Sequence, residues 1–398
     1  MTVKAASFRG AGACIFIFFC ISFISASLES GYYYMLPYLE GRGIRAGALA
    51  GIVMGICYGV SFVIRPFIPF MEQKIGDNRM LWSGYIFFFL SSLGVALLGR
   101  SVYAVIFWRG MAGLGLSMTG VALTAYEREF IPEKIRGRSI ALITTAYSLP
   151  SLVVVPAMEY LINHSLYTVY ICFFPLLTAI GTAAVLRLPK LSAFSPEAEA
   201  TTEAEKDEEA VSYLQLIKRP QIIVFITGAA LFAFTDASQL TFVQLAKELG
   251  LPASSFFSVS AGTALVFRLI CGKVIDLLPR KVCATGATAV TALTMALITT
   301  ASSAGELMAW GAVFGIAMGF GYPAFMCLTL DLGGRLCVTR LAVIFGLLYS
   351  GLFFLTPVIL EFFIGLTGSA AVAYRIIYGT VCLAALSLIP ICRKIYKI

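Results

Sequence analysis

The chain has 398 residues, 59% of them hydrophobic and 13% charged, with a mean hydropathy of +0.90 and a net charge of +8. A water-soluble globule needs about twice that charged fraction to cover its surface, so a soluble fold is excluded. Apolar runs of roughly 18 or more residues recur along the chain. Each crosses ~30 Å of hydrocarbon only as a helix, because lipid offers the backbone no hydrogen bonds.

Taken in order, these runs predict twelve spans: 12–38, 46–71, 81–99, 102–127, 138–163, 167–187, 220–246, 254–275, 282–303, 306–330, 340–366 and 370–391. The first is too long for a signal peptide and lacks a small-residue cleavage site, so it counts as a helix. Lysine and arginine set the orientation. With a cytosolic N-terminus, Arg42, Arg45, Arg100 and Lys247 fall in outer loops and Arg375 at the outer end of the last span, and Arg65, Arg109 and Arg268 fall deeper inside spans. That leaves 21 of the 29 basic residues on the inner side. Both termini are therefore expected in the cytosol, and the short loops fit a bacterial cytoplasmic (inner) membrane. The positive charge then reflects topology and contact with the lipid bilayer, and no nucleic-acid partner is expected.

Between the sixth and seventh spans the pattern breaks. Residues 192–212, SAFSPEAEATTEAEKDEEAVS, are polar and acidic and read as a solvated linker. The expected architecture is an all-α polytopic membrane protein: an N-terminal six-helix bundle over 1–187, a cytosolic linker over 188–219 and a C-terminal six-helix bundle over 220–398. The ten cysteines lie mostly within spans and include no C-x-x-C, so they read as packing residues. His164 is the one histidine, and Asn163-His164-Ser165 matches a glycosylation sequon, which has meaning only in a eukaryotic secretory membrane. No Ser-His-Asp set or metal-ligand spacing occurs, so neither an enzyme, a metal site nor a cofactor is expected.

One motif occurs twice. VFRLICGKVIDLLPRK, residues 266–281, has the pattern R-x-x-x-G-x-x-x-D-x-x-[GP]-R-K, and a degraded copy stands 203 residues upstream as Arg65, Pro69, Gln73, Gly76 and Arg79. At an offset of 202, Glu129 matches Asp331, Arg138 matches Arg340, Tyr147-Ser148 matches Tyr349-Ser350, and Glu159 matches Glu361. At 207, Glu29 in the first span matches Asp236 in the seventh. A repeat of half the chain is a mark of transporter folds built from two related halves. The motif resembles the loop between the second and third helices of each half of major facilitator superfamily transporters. Arg109-x-x-x-Gly113-x-Gly115 and EFIPEKIRGRSIAL (129–142) resemble that family's fourth helix and its helix 4–5 turn. The resemblance implies twelve transmembrane helices in two pseudo-symmetric six-helix bundles, moving a small-molecule substrate by alternating access.

Charges inside the spans are expensive and therefore candidates for function. Arg65 and Arg268 stand about 6 or 7 residues from cytosolic span ends, roughly 10 Å deep. With Gln73, Gly76, Glu129, Arg138, Gly272, Asp276, Arg280, Lys281, Asp331 and Arg340 they form the expected inner gate, the role the resemblance implies for this loop. Gln73 stands where the family has an acid, with Glu72 or Asp77 as substitutes, and Lys74 and Lys281 read equally well as anchors at the membrane surface. Glu29, Arg109 and Asp236 lie about 8 to 10 residues from outer span ends, roughly 12–15 Å below the outer face. In the family, helices 1, 4, 7 and 10 line a central cavity. That implies a substrate cavity of Glu29, Arg109, Tyr147, Ser148, Asp236, Gln239, Tyr349 and Ser350.

Burial favours the neutral form of a carboxyl and a nearby arginine the charged form, so Glu29 and Asp236 are the proton-coupling candidates. The plain alternative is a structural Glu29–Arg109 ion pair. The Tyr-Ser pairs bond either the substrate or a neighbouring helix. Glu159 and Glu361 are expected to be solvated near the outer face, and Tyr32, Tyr33 and Tyr34 to form an interfacial aromatic belt.

Helix 5, ALITTAYSLPSLVVVPAMEYL, lacks the Gly-rich run ending in Gly-Pro of drug–proton antiporters of the superfamily, although Pro156 falls where that proline would. The reading taken from sequence is a monomeric, proton-coupled exporter of a drug-like compound or a metal-chelating metabolite. The alternative is a symporter that takes up an organic anion, with Arg109 as its counter-charge. A membrane receptor on a transporter fold is the alternative of another class, and it leaves the buried charges without a use.

Overall fold

In a computed structural model the protein is described over residues 8–131, 136–188, 213–277 and 280–396. Side chains at 8–11, 128–129, 136–138, 140–141, 144, 213–214, 269–277, 280–282, 330, 333–339 and 396 lie outside that description. Among the described residues there is no strand; long helices carry the fold. They are α1 (Phe8–Gly31), α2 (Ala50–Ile64), α3 (Asp77–Leu98), α4 (Val102–Phe130), α5 (Arg136–Asn163), α6 (Tyr167–Leu186), α7 (Pro220–Asp236), α8 (Ala253–Leu277), α9 (Arg280–Leu297), α10 (Ala304–Thr367) and α11 (Ala370–Tyr396).

Eleven helical stretches among the described residues are long and apolar enough to cross a membrane. The expected span 254–275 lies within α8, where the side chains from 269 onward fall outside the description. Helix α10 is helical over 64 residues, ~96 Å at 1.5 Å each, about three bilayer crossings. It holds two spans, Ala304–Thr329 and Arg340–Thr367. The tenth and eleventh expected spans are thus joined by residues that keep helical bonding, where the sequence predicts a break.

The chain divides into two compact units, Met1–Ser195 and Pro196–Ile398. Each repeats one packing plan. In the first, α1 lies against α5 and α6, α2 against α4, and α3 against α4 and α6. In the second, α7 lies against α9, α10 and α11, while α8 and α9 lie against α10, and α9 also against α11.

The packing devices repeat residue for residue. Ser101 caps α4 by accepting from the Ala104 amide at 3.2 Å, and Ser303, 202 residues on, caps α10 by accepting from Glu306 N at 3.2 Å. Each hydroxyl meets an amide that the first helical turn leaves without a partner. A Cβ on Gly113 would stand 2.2 Å from the Cys57 carbonyl oxygen, and one on Gly315 2.2 Å from that of Ser260. Glycine at these two positions lets α4 meet α2, and α10 meet α8, backbone to backbone.

Three helices are interrupted where function was expected. Helix α1 passes through a tight 3-10 turn at Tyr32–Tyr34 before Met35–Gly41 continues it. Pro37 explains the turn: it has no N–H for the Tyr33 carbonyl four residues back. Helix α2 has a 3-10 turn at Arg65–Phe67, and there Pro69 deprives the Arg65 carbonyl in the same way. Helix α7 ends in a 3-10 turn at Ala237–Leu240 without a proline; Thr241 Oγ1 donates to the Ser238 carbonyl at 3.3 Å and occupies it locally. Buried tyrosines serve the turns that end α1 and α7: Tyr170 donates to Gly31 O at 3.0 Å, and Tyr374 to Ser238 O at 2.9 Å. The chain then turns between Ile75 and Asp77 through Gly76, whose φ of +78° suits glycine alone.

Candidate functional site

The two acids singled out from sequence occupy equivalent places, each just before the 3-10 turn that ends its unit's first long helix. Glu29, half-buried in α1, accepts a hydrogen bond from the Tyr58 hydroxyl at 3.3 Å. The positive charges acting on it are Arg65 and Arg109. Asp236, at the end of α7, is 9% exposed and accepts from Gln239 Nε2 at 2.6 Å. The charge acting on it is Arg268.

Sequence depth puts Arg65 and Arg268 in an inner layer apart from the acids, yet in the folded chain the charge of each acts on the acid of its own unit. An arginine side chain is long enough to reach about a turn and a half along a helix, which counting Cα positions ignores. Among the described residues no ion pair joins Glu29 to Arg109 or Asp236 to Arg268.

Arg109 is 4% exposed and is spent on structure. Its Nε donates to the Val53 carbonyl at 2.7 Å, an Nη donates to the Met54 carbonyl at 3.1 Å, and its guanidinium lies 4.3 Å from the centre of the Tyr32 ring. Tyr32 in turn stacks on Phe174 at 4.2 Å with the rings 3° from parallel. Tyr32 and Tyr34 are buried, not lipid-facing. Their rings pack inward instead of forming an interfacial belt: Tyr32 lies between Arg109 and Phe174.

The remaining cavity candidates diverge. Tyr147 is 50% exposed, whereas its repeat partner Tyr349 is half-buried with its hydroxyl enclosed. Ser148 is half-buried and Ser350 buried. Of the gate candidates, Gln73 and Asp331 are exposed and Arg340 is half-buried. Glu72 and Asp77 face one another across the Gly76 turn. The side chains of Glu129, Arg138, Asp276, Arg280 and Lys281, and the linker from 189 to 212, lie outside the described residues; Gly272 is placed as backbone within α8.

Sequence reasoning missed three partners. Tyr58, which bonds Glu29, gave no signal beyond a hydroxyl in a span. Tyr322, which faces Arg268 from α10, gave none either. Glu248 offered only an outer-loop charge, yet its carboxylate accepts from the Ser369 hydroxyl and from the Ala370 amide at 2.5 Å, capping α11.

Two helical units built on one plan, each carrying an acid faced by an arginine inside a membrane span, define a secondary transporter of small solutes. The comparisons say of which kind. The family described as Major Facilitator Superfamily matches residues 18–336, and the chain belongs to it. It is similar to the crystal structure of a POT family transporter in complex with a thioalcohol-conjugated peptide, at TM-score 0.75 and 12% identity over 98% of each chain. It is also similar to a POT family transporter in complex with 5-aminolevulinic acid, at TM-score 0.74 and 12% identity over 98% of each chain. At that identity the likeness speaks of the fold. No curated protein matches the sequence.

Proposed function

We propose that the protein is a proton-coupled carrier of a small organic solute, with Glu29 and Asp236 as its proton-binding groups. The observation that carries this is the repeated arrangement of an acid before the 3-10 turn at the end of α1 and of α7, each under the charge of an arginine from the next helix. An acid that loses and regains that arginine as access alternates changes its proton affinity with each half-cycle, which is how a gradient drives a carrier. The carrier works as a monomer, and the basic inner loops support both termini in the cytosol of a bacterial cytoplasmic membrane.

Export of a drug-like compound or a metal-chelating metabolite fits this scheme on the superfamily resemblance alone. Symport of an organic anion is the second reading, and one feature favours it. The arginine first offered as counter-charge, Arg109, is held by backbone carbonyls, but Arg268 has a buried Nε with no hydrogen-bond partner among the described residues.

The test uses the purified protein in liposomes loaded with a pH-sensitive dye, with organic cations, organic anions, peptides and metal chelates added under a pH gradient. Glu29→Gln and Asp236→Asn should each abolish gradient-driven transport and spare substrate exchange. Proton movement with the solute indicates symport, and movement against it antiport. If both variants keep full proton-dependent transport, the assignment of the two acids is wrong.

A further inference from the structure

We propose that Arg268 and Tyr349, beside Asp236 in the C-terminal unit, bind a carboxylate of the transported solute together with one proton on Asp236. The carboxylate subsite stands on geometry, and the shared proton rests on the proton-coupled reading above.

Two polar atoms in this cluster, Arg268 Nε and the Tyr349 hydroxyl, are buried and have no hydrogen-bond partner among the described residues. Buried donors are rarely left unmet, because each forfeits its bond to water without a return. The groups come from three helices and converge: Asp236, Tyr322 and Tyr349 all act on Arg268, and Asp236 acts on Tyr349 as well. An arginine has donors only, and a tyrosine hydroxyl without a partner can donate, so the missing partner must accept. A carboxylate meets this need with two oxygens that match the planar guanidinium fork. The rings of Tyr322, Phe345 and Phe353 stand 5.7, 4.9 and 5.8 Å from that of Tyr349, so the carbon skeleton behind the carboxylate meets an aromatic wall.

The contrast with the N-terminal unit sharpens the assignment. Position 311, the repeat of Arg109, is glycine, and a Cβ there would stand 2.9 Å from the Phe256 carbonyl. The second unit therefore has no structural arginine at that point, and Arg268 is not duplicating a backbone latch.

Charge balance links the proton to the anion. The groups that face Asp236 are Gln239 from its own turn, Arg268 from α8 and Tyr349 from α10, so the cluster is neutral when Asp236 is ionised. A carboxylate arriving there leaves one uncompensated negative charge in a poorly solvated site. A proton on Asp236 removes it. Anion and proton thus bind together, which selects symport.

The experiment follows thermal unfolding of the purified full-length protein with propionate, benzoate or succinate, each paired with its uncharged amide. At least one acid should raise the unfolding temperature of the wild type, and its amide should not. Tyr349→Phe should weaken that acid about tenfold, the loss of one charge-assisted hydrogen bond. Arg268→Gln should abolish the response, and if that variant does not fold, Tyr349→Phe still decides, since it removes one hydroxyl and keeps the ring. Apparent affinity should fall about tenfold per pH unit on the alkaline side of the Asp236 titration, the slope of one linked proton. Asp236→Asn should keep binding and lose that slope.

No stabilisation by any of the acids, equal stabilisation by the amides, or an unchanged response in both Arg268→Gln and Tyr349→Phe would overturn the site. Binding that needs both residues but ignores pH would overturn the shared proton. The liposome assay tests the proton-coupled reading separately: proton-driven transport retained by Asp236→Asn would overturn that reading and the shared proton, and would leave the carboxylate subsite to be decided by the unfolding data.

Discussion

Two arginines found by the same argument from burial cost turn out to do different work. Arg109 gives its donors to the Val53 and Met54 carbonyls and its face to Tyr32, so it joins α4 to α2 at a point where Gly113 has already brought them close. Arg268 instead has a buried Nε with no hydrogen-bond partner among the described residues. Arg109→Lys is therefore expected to destabilise the protein by about 2 kcal/mol, because an ammonium cannot reproduce the fork or the stacking. Arg268→Lys, which keeps the charge and removes that unpartnered Nε, should leave the unfolding temperature within about 2 °C of wild type. Unfolding of both variants in detergent, followed by circular dichroism, compares them directly. Equal losses would mean that Arg268 is structural too.

At the scale of elements, the two units are better conserved with respect to one another in how helices touch than in what they charge. Ser101 and Ser303 cap equivalent helices, Gly113 and Gly315 admit equivalent carbonyls, and Tyr170 and Tyr374 bond equivalent 3-10 turns. Gly113→Ala and Gly315→Ala each push a methyl into a carbonyl oxygen and should cost about 1–3 kcal/mol, by forcing the paired helices apart. Tyr374→Phe removes the hydroxyl that bonds Ser238 O and lies 2.7 Å from Thr241 Oγ1, leaving only the longer Thr241–Ser238 bond, and should cost about 0.6–1.7 kcal/mol, the range of hydrogen bonds within membranes. Stepwise unfolding in mixed micelles reads all three, and a Gly315→Ala variant as stable as wild type would show that α8 and α10 are free to separate. The spans were legible because hydropathy is a sum over some twenty residues and tolerates local error. The 3-10 turns at Tyr32 and Arg65 were legible in principle, since Pro37 and Pro69 stand one turn beyond each. The turn at Ala237 was not, because it depends on a threonine hydroxyl choosing the backbone. Nor does sequence show that 330–339 keeps its helical bonds.

For the whole molecule, the repeat told which residues correspond but not which of them meet. Counting positions from a span end placed Glu29 and Arg65 in different layers, and only the direction of a long side chain brings them together. The same limit hid the vacant donors of Arg268 and Tyr349, which are visible only when every neighbour is in place. Orientation, by contrast, belongs to the chain as a whole and rests on its charge asymmetry: 21 basic residues lie in inner segments under one topology, against five on the outer side. Carrying a lysine or arginine through the hydrocarbon costs about 2.5–3.5 kcal/mol at the centre of a helix, so a reversed insertion meets that barrier many more times than the proposed one. The acidic stretch 192–212 does not oppose this, since acidic residues weigh little in the rule. The expected outcome is that protease added to sealed, right-side-out vesicles leaves the chain whole, whereas inside-out vesicles yield two fragments cut within 189–212. A C-terminal fluorescent fusion should be bright in the cytosol and a C-terminal phosphatase fusion inactive. Cleavage of right-side-out vesicles would invert the topology, and with it the side from which Asp236 and Arg268 first meet their solute.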